Sequence, residues 1–231
     1  MIVYGKNVIK EVVKNKRIIF QMFINNKMID KKFFNFLDKN NVRYQLVDKH
    51  QLNEKAKTKE HQGVVAEVKD YEYSNLSLFL DSNKNQKFLI LDEIHDPYNF
   101  GAILRTMETT DFDGVIISKK HQVLLTGTVA KSSSGALEYV NIFLVNNLYQ
   151  TILLLKENNI LIIGTDVEAD LNFDKIDYNR SFAVILGNEG SGMRFLLKKK
   201  CDYFIKIPMK GKINSLNVSV AAALIMYASQ R

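Results

Sequence analysis

The second part of the chain alternates short apolar runs with longer amphipathic stretches. The apolar runs are rich in β-branched and aromatic residues, as buried strands are, and lie at 87–92, 114–118, 141–145, 160–165, 182–186 and 203–207. The stretches between them space their apolar residues as helices do, near 97–110, 124–137, 147–158, 192–200 and 216–229. This alternation predicts an α/β fold in which helices cover both faces of a parallel sheet.

The first 70 residues predict a separate, smaller α/β unit. Apolar runs at 18–24 and 64–68, and the alternation of polar with apolar residues at 43–47, are typical of strands, and a helical pattern follows Tyr4-Gly5. The next segment is mostly polar, which favours a linker. We therefore expect two domains, at 1–70 and 87–231, joined by a linker at 71–86.

The composition limits the kind of protein. The 231 residues are 46% hydrophobic, and no apolar run is long enough to span a bilayer. The single cysteine, Cys201, excludes an internal disulfide framework and forms no zinc-binding pattern, so a cytoplasmic protein is the simplest expectation. The formal charge of +7 favours a polyanionic partner such as RNA, although lysines on a solvated surface explain it equally well.

The first strand of the second part runs into a loop with hydrogen-bonding side chains. Asp96 and Pro97 predict the start of a helix, as its N-cap and its first helical residue. Asn99 then lies in the first turn, and Arg105 lies about two turns later. Because ligands gather beyond the carboxyl ends of parallel strands, Arg105 is a candidate phosphate ligand.

Two other interpretations of this loop are open. Arg105 could form a surface ion pair with Glu108 or Asp111. The acidic residues and the histidine at 92–96 could bind a metal, but a proline-capped helix start explains Asp96 better.

Glycines mark the loop after the strand at 182–186. Gly187, Gly190 and Gly192 follow the order G-x-x-G-x-G and lack side chains that would keep a ligand from the backbone. This order differs from the G-x-G-x-x-G of dinucleotide sites, and no G-x-x-x-x-G-K-[ST] occurs, which disfavours nicotinamide and nucleoside triphosphate enzymes. Glu189 is placed to accept hydrogen bonds or to face a cation. A plain tight turn is the alternative.

The last strand leads through a polar turn into a helix that is apolar on nearly every side. Such a helix is normally buried. Ile207 and Leu216 could pack on a flat ligand ring, while Ser215 and Asn217 bind its polar edges. Asn214 and its polar neighbours could equally be the caps of a core helix.

Together these three loops resemble the three motifs of the SpoU branch of the SPOUT methyltransferases. Residues 99–106 read N-x-G-A-I-x-R-T, and residues 186–192 read L-G-x-E-G-x-G. Residues 207–209 read I-P-M, and residues 215–219 read S-L-N-V-S. All of the motifs occur in the order and spacing of that family, so the chain is identified as similar to RNA 2′-O-ribose methyltransferases.

The resemblance extends to the amino-terminal part of the chain. The first 70 residues are similar to the small ribosomal-protein-like substrate-binding domain of the family, with matches at Tyr4-Gly5 and His61-Gln62-Gly63. The combination of the two parts is most similar to the RlmB group. That group methylates a ribose 2′-hydroxyl of a guanosine in 23S ribosomal RNA.

The resemblance implies properties that periodicity does not show. The carboxyl-terminal part of the family forms a deep trefoil knot, against the usual rule of unthreaded connections. S-adenosylmethionine lies bent in that knot, no metal is required, and a homodimer builds each site from both chains. By position, Gly187, Ile207 and Leu216 would contact the cofactor largely through backbone groups, and Thr165 and Leu186 would add contacts.

The resemblance also implies a reaction site built from Asn99, Arg105, Glu189, Ser215 and Asn217. The family assigns Arg105 to activating the hydroxyl. Because a guanidinium hardly ever loses its proton, we favour a role in stabilising the developing oxyanion and holding the adjacent phosphate, with Asn99 and Glu189 orienting it. The alternatives are a transfer-RNA ribose methyltransferase and a non-catalytic RNA-binding factor of ribosome assembly.

Overall fold

The chain divides into two compact units, each made of two segments. The first unit contains Met1–Glu72 and Leu125–Glu138, and the second contains Tyr73–Leu124 and Tyr139–Arg231. The computed structural model describes residues 1–188, 190–213 and 215–230. Among these residues, no helix is long and apolar enough to cross a membrane.

Strands and helices alternate along the described residues, except that the strands Leu161–Thr165, Leu171–Asn172 and Phe182–Leu186 follow one another. The strands are β1 (Ile2–Tyr4), β2 (Ile19–Asn25), β3 (Gln45–Val47), β4 (Val64–Val68), β5 (Lys87–Leu91), β6 (Gly114–Ser118), β7 (Ile142–Val145), β8 (Leu161–Thr165), β9 (Leu171–Asn172), β10 (Phe182–Leu186) and β11 (Tyr203–Lys206). The helices are α1 (Lys6–Lys14), α2 (Lys31–Lys39), α3 (Lys49–Ala56), α4 (Leu76–Phe79), α5 (Pro97–Glu108), α6 (Gly127–Ser132), α7 (Leu148–Glu157), α8 (Phe195–Lys198) and α9 (Val218–Ala228).

The first unit is built on a mixed sheet with the strand order β1-β4-β2-β3. Strand β4 is antiparallel to β1 and β2, while β2 and β3 run parallel. The predicted strands of this unit are confirmed to within two residues. The sequence did not predict β1 and α3, because β1 has only three residues and Leu52 is the only buried residue of α3.

Residues 125–138 form part of the first unit. Tyr4 and Thr128 share a hydrogen bond of 3.0 Å between their hydroxyl oxygens, and Arg17 Nη1 lies 2.6 Å from a carboxylate oxygen of Glu138. The helix predicted at 124–137 is instead the short α6 followed by a single 3-10 turn. Gly135 separates the two with a φ of 94°, which a helix does not tolerate.

The second unit is built on a seven-stranded parallel sheet with the order β7-β6-β5-β10-β8-β11-β9. Its central strands read as continuous apolar runs because helices cover both faces. Every residue of β6 and β10 is buried. The α/β fold with a parallel sheet is therefore confirmed.

Part of the predicted linker is folded. Helix α4 lies within residues 71–86, and Leu76 is buried in the core of the second unit. Phe79 packs edge-on against Phe143, with ring centroids 5.1 Å apart. The predicted limits of the domains stay a prediction.

Helix α9 departs from the expectation that an apolar helix is buried. Ala222, Ile225 and Met226 are buried, but Val220 and Leu224 are 45% and 39% exposed. Tyr227 continues this stripe and is 51% exposed. The chain by itself therefore leaves one apolar stripe of α9 in contact with solvent.

A candidate cofactor and reaction site

A cleft of about 400 Å³ lies beyond the carboxyl ends of β8, β10 and β11, and we call it the strand-end cleft. All of the residues predicted to contact a cofactor line it, namely Thr165, Leu186, Gly187, Ile207 and Leu216. Ser215, which was predicted for the reaction site, lines it as well. The second and third motifs therefore share one cavity, while the roles of their residues stay predictions.

The strand order explains why the first motif also comes close. Strands β5 and β10 are neighbours in register, with Leu91 opposite Leu186. Asp92 N donates a hydrogen bond of 2.9 Å to the carbonyl of Leu186. After β5 the chain continues to β6 on one side, whereas after β10 it continues to β11 on the other side. This is a topological switch point, where open parallel sheets bind their ligands.

The glycine loop closes on itself. Asn188 N donates to the carbonyl of Gly192 at 3.1 Å, and Gly192 N donates back to the carbonyl of Asn188 at 2.8 Å. A Cβ atom on Gly187 would lie 2.2 Å from the backbone nitrogen of Met193. Glycine is therefore required at 187 by the backbone of the loop itself. The expectation that a ligand requires it was incomplete.

Polar contacts made by Arg194 and Asn188 hold the glycine loop against the loop after β5. Arg194 Nε donates to Asp92 Oδ1 at 2.7 Å, and Arg194 N donates to Asp92 Oδ2 at 2.9 Å. Asn188 Nδ2 donates to the carbonyl of Glu93 at 2.9 Å. Both oxygens of the buried Asp92 carboxylate are thus occupied. Among the described residues, no group of three histidine, cysteine or acidic side chains is placed to hold a metal ion.

A hydrogen bond joins the first motif to the third. Asn217 Nδ2 donates to Asn99 Oδ1 at 2.8 Å, and Asn99 is buried on α5. Asn217 Oδ1 accepts from Ser219 N at 2.9 Å, which confirms Asn217 as the cap of α9. Asp96 accepts from Tyr98 N in the same way and is confirmed as the cap of α5. Asn99 and Asn217 therefore lie next to the wall of the strand-end cleft that Ser215 and Leu216 form.

Arg105 lies apart from the other predicted site residues. It is exposed on α5 and does not line the strand-end cleft. Among the described residues it forms no ion pair, and Asp111, one of its two suggested surface partners, pairs with Lys87. Thr109, the C-cap of α5, lies about one helical turn after Arg105. Its hydroxyl oxygen lies 3.0 Å from the hydroxyl oxygen of Tyr227 on α9. Arg105 therefore lies on the same stretch of surface as the exposed stripe of α9.

Two residues of the predicted loops cannot be placed. Glu189, predicted for the reaction site, and Asn214, considered as a cap or a ligand, lie outside the described residues.

The sequence missed an ion pair at the edge of the strand-end cleft. Lys198 Nζ lies 2.7 Å from Asp166 Oδ2, and both residues line the cleft. The hydrogen bond from Lys198 lowers the pKa of the Asp166 carboxyl below its ordinary value. Asp166 directly follows Thr165 at a strand end, so its position could have identified it. Lys198 reaches the cleft from α8, which only the fold reveals.

A cleft with apolar and polar lining beyond the strand ends of a parallel sheet is typical of α/β proteins that bind a small molecule. Residues 86–227 match the model of the SpoU rRNA methylase family. Residues 2–74 match the model of RNA 2′-O ribose methyltransferase substrate binding. The chain belongs to the SpoU rRNA methylase family. The family identified from the three motifs is confirmed, and the narrower RlmB grouping stays a prediction.

Individual relatives agree with this assignment. YacO of Bacillus subtilis, assigned to the TrmH family of tRNA/rRNA methyltransferases, is 39% identical over 236 residues, which cover 99% of this chain and 94% of the relative. The SpoU methyltransferase AviRb of Streptomyces viridochromogenes, solved in complex with the cofactor AdoMet, has the same fold. Its TM-score is 0.85 at 22% identity, and the match covers 99% of this chain and 88% of that one.

A shorter relative matches only part of the chain. The TrmH/SpoU tRNA modifying enzyme of A. aeolicus gives a TM-score of 0.57 at 27% identity. That match covers 65% of this chain and 77% of the other.

Proposed function

We propose that this protein methylates RNA by transferring the methyl group of S-adenosylmethionine to a ribose 2′-hydroxyl. The observation that supports the proposal most directly is that the three family motifs lie close together in the fold. The glycine loop and the loop before α9 line one cleft, and the hydrogen bond between Asn99 and Asn217 attaches the first motif to its edge.

The residues of the strand-end cleft fit S-adenosylmethionine. Its volume lies within the range of about 300 to 1000 Å³ that is usual for small-molecule sites. Leu186, Ile207 and Leu216 offer apolar surface to an adenine ring, and the loop backbone offers hydrogen bonds to its edge. Asp166 and Lys198 supply both signs of charge for a ligand that carries an amino group and a carboxylate. When bound, the cofactor supplies an electrophilic methyl group on a sulfonium.

The polar residues of the site position and polarise the ribose. Methyl transfer needs the hydroxyl oxygen in line with the methyl group, so positioning supplies much of the acceleration. Asn99 and Asn217 hold each other, which fixes the edge of the cleft where Ser215 lies. Arg105 stays cationic, so it stabilises the oxyanion that develops as the hydroxyl loses its proton, and it holds the adjacent phosphate.

The same geometry supports a homodimer. Arg105 does not line the strand-end cleft of its own chain, and it lies on the same stretch of surface as the exposed apolar stripe of α9. An apolar stripe in contact with solvent is typical of a surface that another chain covers. A second copy packed on the stripe would bring Arg105 to the cleft of its partner. The trefoil knot of the family is part of this proposal.

The proposed substrate is a guanosine of 23S ribosomal RNA. The basic first unit supports a large structured RNA. The match to the A. aeolicus tRNA modifying enzyme covers only 65% of this chain, whereas the matches to YacO and AviRb each cover 99%. Transfer RNA is the second candidate, because YacO belongs to a family of tRNA/rRNA methyltransferases.

A transfer assay separates the candidates. The full chain is incubated with labelled S-adenosylmethionine and unmodified 23S ribosomal RNA, and then with unmodified transfer RNA, and the methylated nucleotide is mapped. We expect label in a single guanosine of 23S RNA. Label only in transfer RNA would show that the protein is a methyltransferase but that its substrate is transfer RNA and not 23S RNA. Tight RNA binding with no label in either RNA would favour a non-catalytic assembly factor.

A further inference from the structure

The first unit contains a cleft of its own, of about 850 Å³. It lies between the loops that follow β2 and β3 and the turn that precedes β4. Lys6, Lys27 and Lys49 line it together with the amide side chains of Asn26 and Gln62. We call it the lysine cleft.

Two of the three lysines have free ammonium groups. Within the part of the chain that the structure describes, Lys27 and Lys49 form no ion pair and no side-chain hydrogen bond, and both are exposed. Lys6 Nζ lies 2.7 Å from Asp30 Oδ2. Asp30 and Asp48 also line the cleft, but each is engaged as a helix cap, accepting from Phe33 N and Gln51 N. The cleft therefore offers unpaired cations, while hydrogen bonds occupy its carboxylates.

The backbone adds to this positive potential. Helices α1, α2 and α3 all begin at residues that line or adjoin the lysine cleft, and none has an acidic residue in its first turn. The partial positive charge of a helix lies at its amino-terminal end. The carboxylates of Asp30 and Asp48 cap α2 and α3 and offset this charge at those two ends, whereas the N-cap of α1 is Gly5. The start of α1 therefore adds to the attraction that the free lysines exert on an anion.

One edge of the lysine cleft is apolar. Ile29 is 90% exposed. Met28 packs on the turn before β4, where its Cε would lie 2.7 Å from a Cβ added to Gly63. Unpaired nucleobases offer flat faces to such surfaces, whereas a duplex hides them. Apolar side chains beside free cations suit a nucleotide whose base is out of a helix.

The residues that resemble the family's substrate-binding domain build this cleft. Gln62 Oε1 accepts from Lys6 N at 3.3 Å, and Gly63 O accepts from Asn25 N at 2.9 Å. His61 is buried and does not face the cleft; its Nδ1 accepts from Gly63 N at 3.0 Å. The histidine of the His61-Gln62-Gly63 match therefore hydrogen-bonds its neighbour in the turn.

The charge of the chain is concentrated in this part of it. Residues 1–72 contain 15 lysines and arginines and 9 acidic residues, so they carry +6 of the formal charge of +7. Phosphate contacts need mobile cations of this kind. The first unit is therefore the part of the chain suited to holding a polyanion.

We propose that the lysine cleft binds an unpaired nucleotide of the substrate RNA. The base packs against Ile29 and Met28, the amide groups of Asn26 and Gln62 face its polar edge, and flanking phosphates contact Lys27 and Lys49. This inference rests on the proposed function in taking RNA as the ligand. It adds a defined site, remote in sequence from the methylation motifs, that selects a single-stranded or looped segment.

The experiment compares two double variants of the full chain. Lys27→Gln/Lys49→Gln removes the free cations of the lysine cleft. Lys14→Gln/Lys39→Gln removes the same charge from the opposite ends of α1 and α2. The probe is a fluorescently labelled single-stranded RNA of mixed sequence, and its affinity is measured by anisotropy over a range of salt concentrations.

We expect the cleft variant to bind about tenfold more weakly, with the slope of log K against log salt reduced by about 1.4, or about 0.7 for each lost phosphate contact. The control variant should keep the slope of the unmodified chain. Equal losses in the two variants, or a larger loss in the control, would overturn the proposal.

A third variant tests the apolar edge. Ile29→Ser should weaken RNA binding by about threefold, because the base loses its apolar contact. Since Ile29 is almost fully exposed, the unfolding temperature should not change. Unchanged RNA affinity in Ile29→Ser would show that no base packs against Ile29, and would contradict the proposal.

Methyl transfer and cofactor calorimetry separate this inference from the proposed function. The cleft variant should raise KM for RNA, keep kcat, and keep its affinity for S-adenosylmethionine. If the chain binds RNA through the lysine cleft but transfers no methyl group, the proposed function fails and this inference stands. If it transfers methyl groups with the same KM in the cleft and control variants, this inference fails and the proposed function stands.

Discussion

Arg194 holds the buried carboxylate of Asp92 through its guanidinium and its backbone N–H at once. Asp92 directly follows β5, the strand that leads to the first motif, and Arg194 follows the glycine loop of the second. The pair lies 102 residues apart in sequence and fixes the two loops against each other. Neither Arg194 nor Asp92 lines the strand-end cleft, but their contact holds together two of the loops that form the site.

The first prediction concerns this pair. Arg194→Gln leaves the fully buried Asp92 carboxylate without its counter-charge, and we expect the free energy of unfolding to fall by about 2 kcal/mol, below the usual range for buried pairs because Arg194 is partly exposed. Urea unfolding measures the change. The double variant Asp92→Asn/Arg194→Gln should lose less than the sum of the single variants. Additive losses would show that the two side chains do not stabilise each other.

The glycine loop gives the second prediction. Gly187→Ala places a Cβ 2.2 Å from a backbone nitrogen, so the loop must shift and the affinity for S-adenosylmethionine should fall by about tenfold or more. Gly211→Ala is the matched control, because a Cβ there would meet no atom within 4 Å and Gly211 does not line the strand-end cleft. Calorimetry with the cofactor compares the two variants. Equal affinities would contradict the placement of the cofactor beside Gly187.

The third prediction assigns Arg105 to the partner's cleft. Arg105→Ala should fold and bind the cofactor normally, and its rate of methyl transfer should fall about a hundredfold or more. A heterodimer of one Arg105→Ala chain and one Gly187→Ala chain, isolated with two affinity tags, has one intact site built from both chains. It should recover about half of the wild-type rate. No recovery would place Arg105 in the site of its own chain or outside the reaction.

The exposed stripe of α9 gives the fourth prediction. Val220→Asp puts a charge on a surface that the second copy should cover, so light scattering should report half the molecular mass and methyl transfer should be lost. Leu78→Asp is the control, since Leu78 is 84% exposed on α4, away from the stripe. A monomeric unmodified chain, or a Val220→Asp variant that remains dimeric, would exclude this surface as the interface.

The fifth prediction concerns pH. Burial lowers the pKa of His61 below its ordinary value of 6.5, and the nearby charge of Lys49 lowers it further. Its Nδ1 accepts from Gly63 N and its Nε2 donates to Asn53 Oδ1, so the folded state keeps the ring neutral. As the pH falls below about 6.5 the unfolded chain takes up the proton first, and the free energy of unfolding should drop.

Thermal unfolding of the full chain at about pH 7.5 and about pH 5.5 measures this effect. His61→Gln has no titrating ring, so its midpoint should fall less between the two conditions. The same fall in the variant and in the unmodified chain would assign the pH dependence to other groups.

The elements of the second unit could be predicted because each strand carries its own signal. The run at 182–186 is confirmed without change as β10, since a strand buried on both faces must be apolar throughout. The shortest strands and helices were not predicted, or were predicted with the wrong length. Strand β9 has two residues and exists only through its pairing with β11, which no local pattern encodes. Helix α8 is shorter than predicted because the turn at Gly192, with a φ of 68°, delays its start.

The residues of the candidate site also fall into two groups, those that could be predicted from the sequence and those that could not. Thr165, Gly187 and Leu216 could be identified because they follow strands or stand in family motifs, and the fold brings them to one cleft. Lys198 could not, because it reaches the cleft from a helix without a motif. The motif identified Arg105 as a candidate, but the motif alone did not decide whether its side chain faces the cleft or the surface, and the fold leaves it exposed on α5.

The sequence by itself determined the longer strands and helices, the family and the residues that carry its motifs, because these depend on local periodicity and on residue identity. Tertiary structure decided which loops meet, which lysines remain unpaired around the lysine cleft and which face of α9 stays in solvent. The physical reason is that contacts such as Arg194 with Asp92 and Asn217 with Asn99 join residues more than one hundred positions apart. Their energies depend on distance and burial in space, which no stretch of sequence contains.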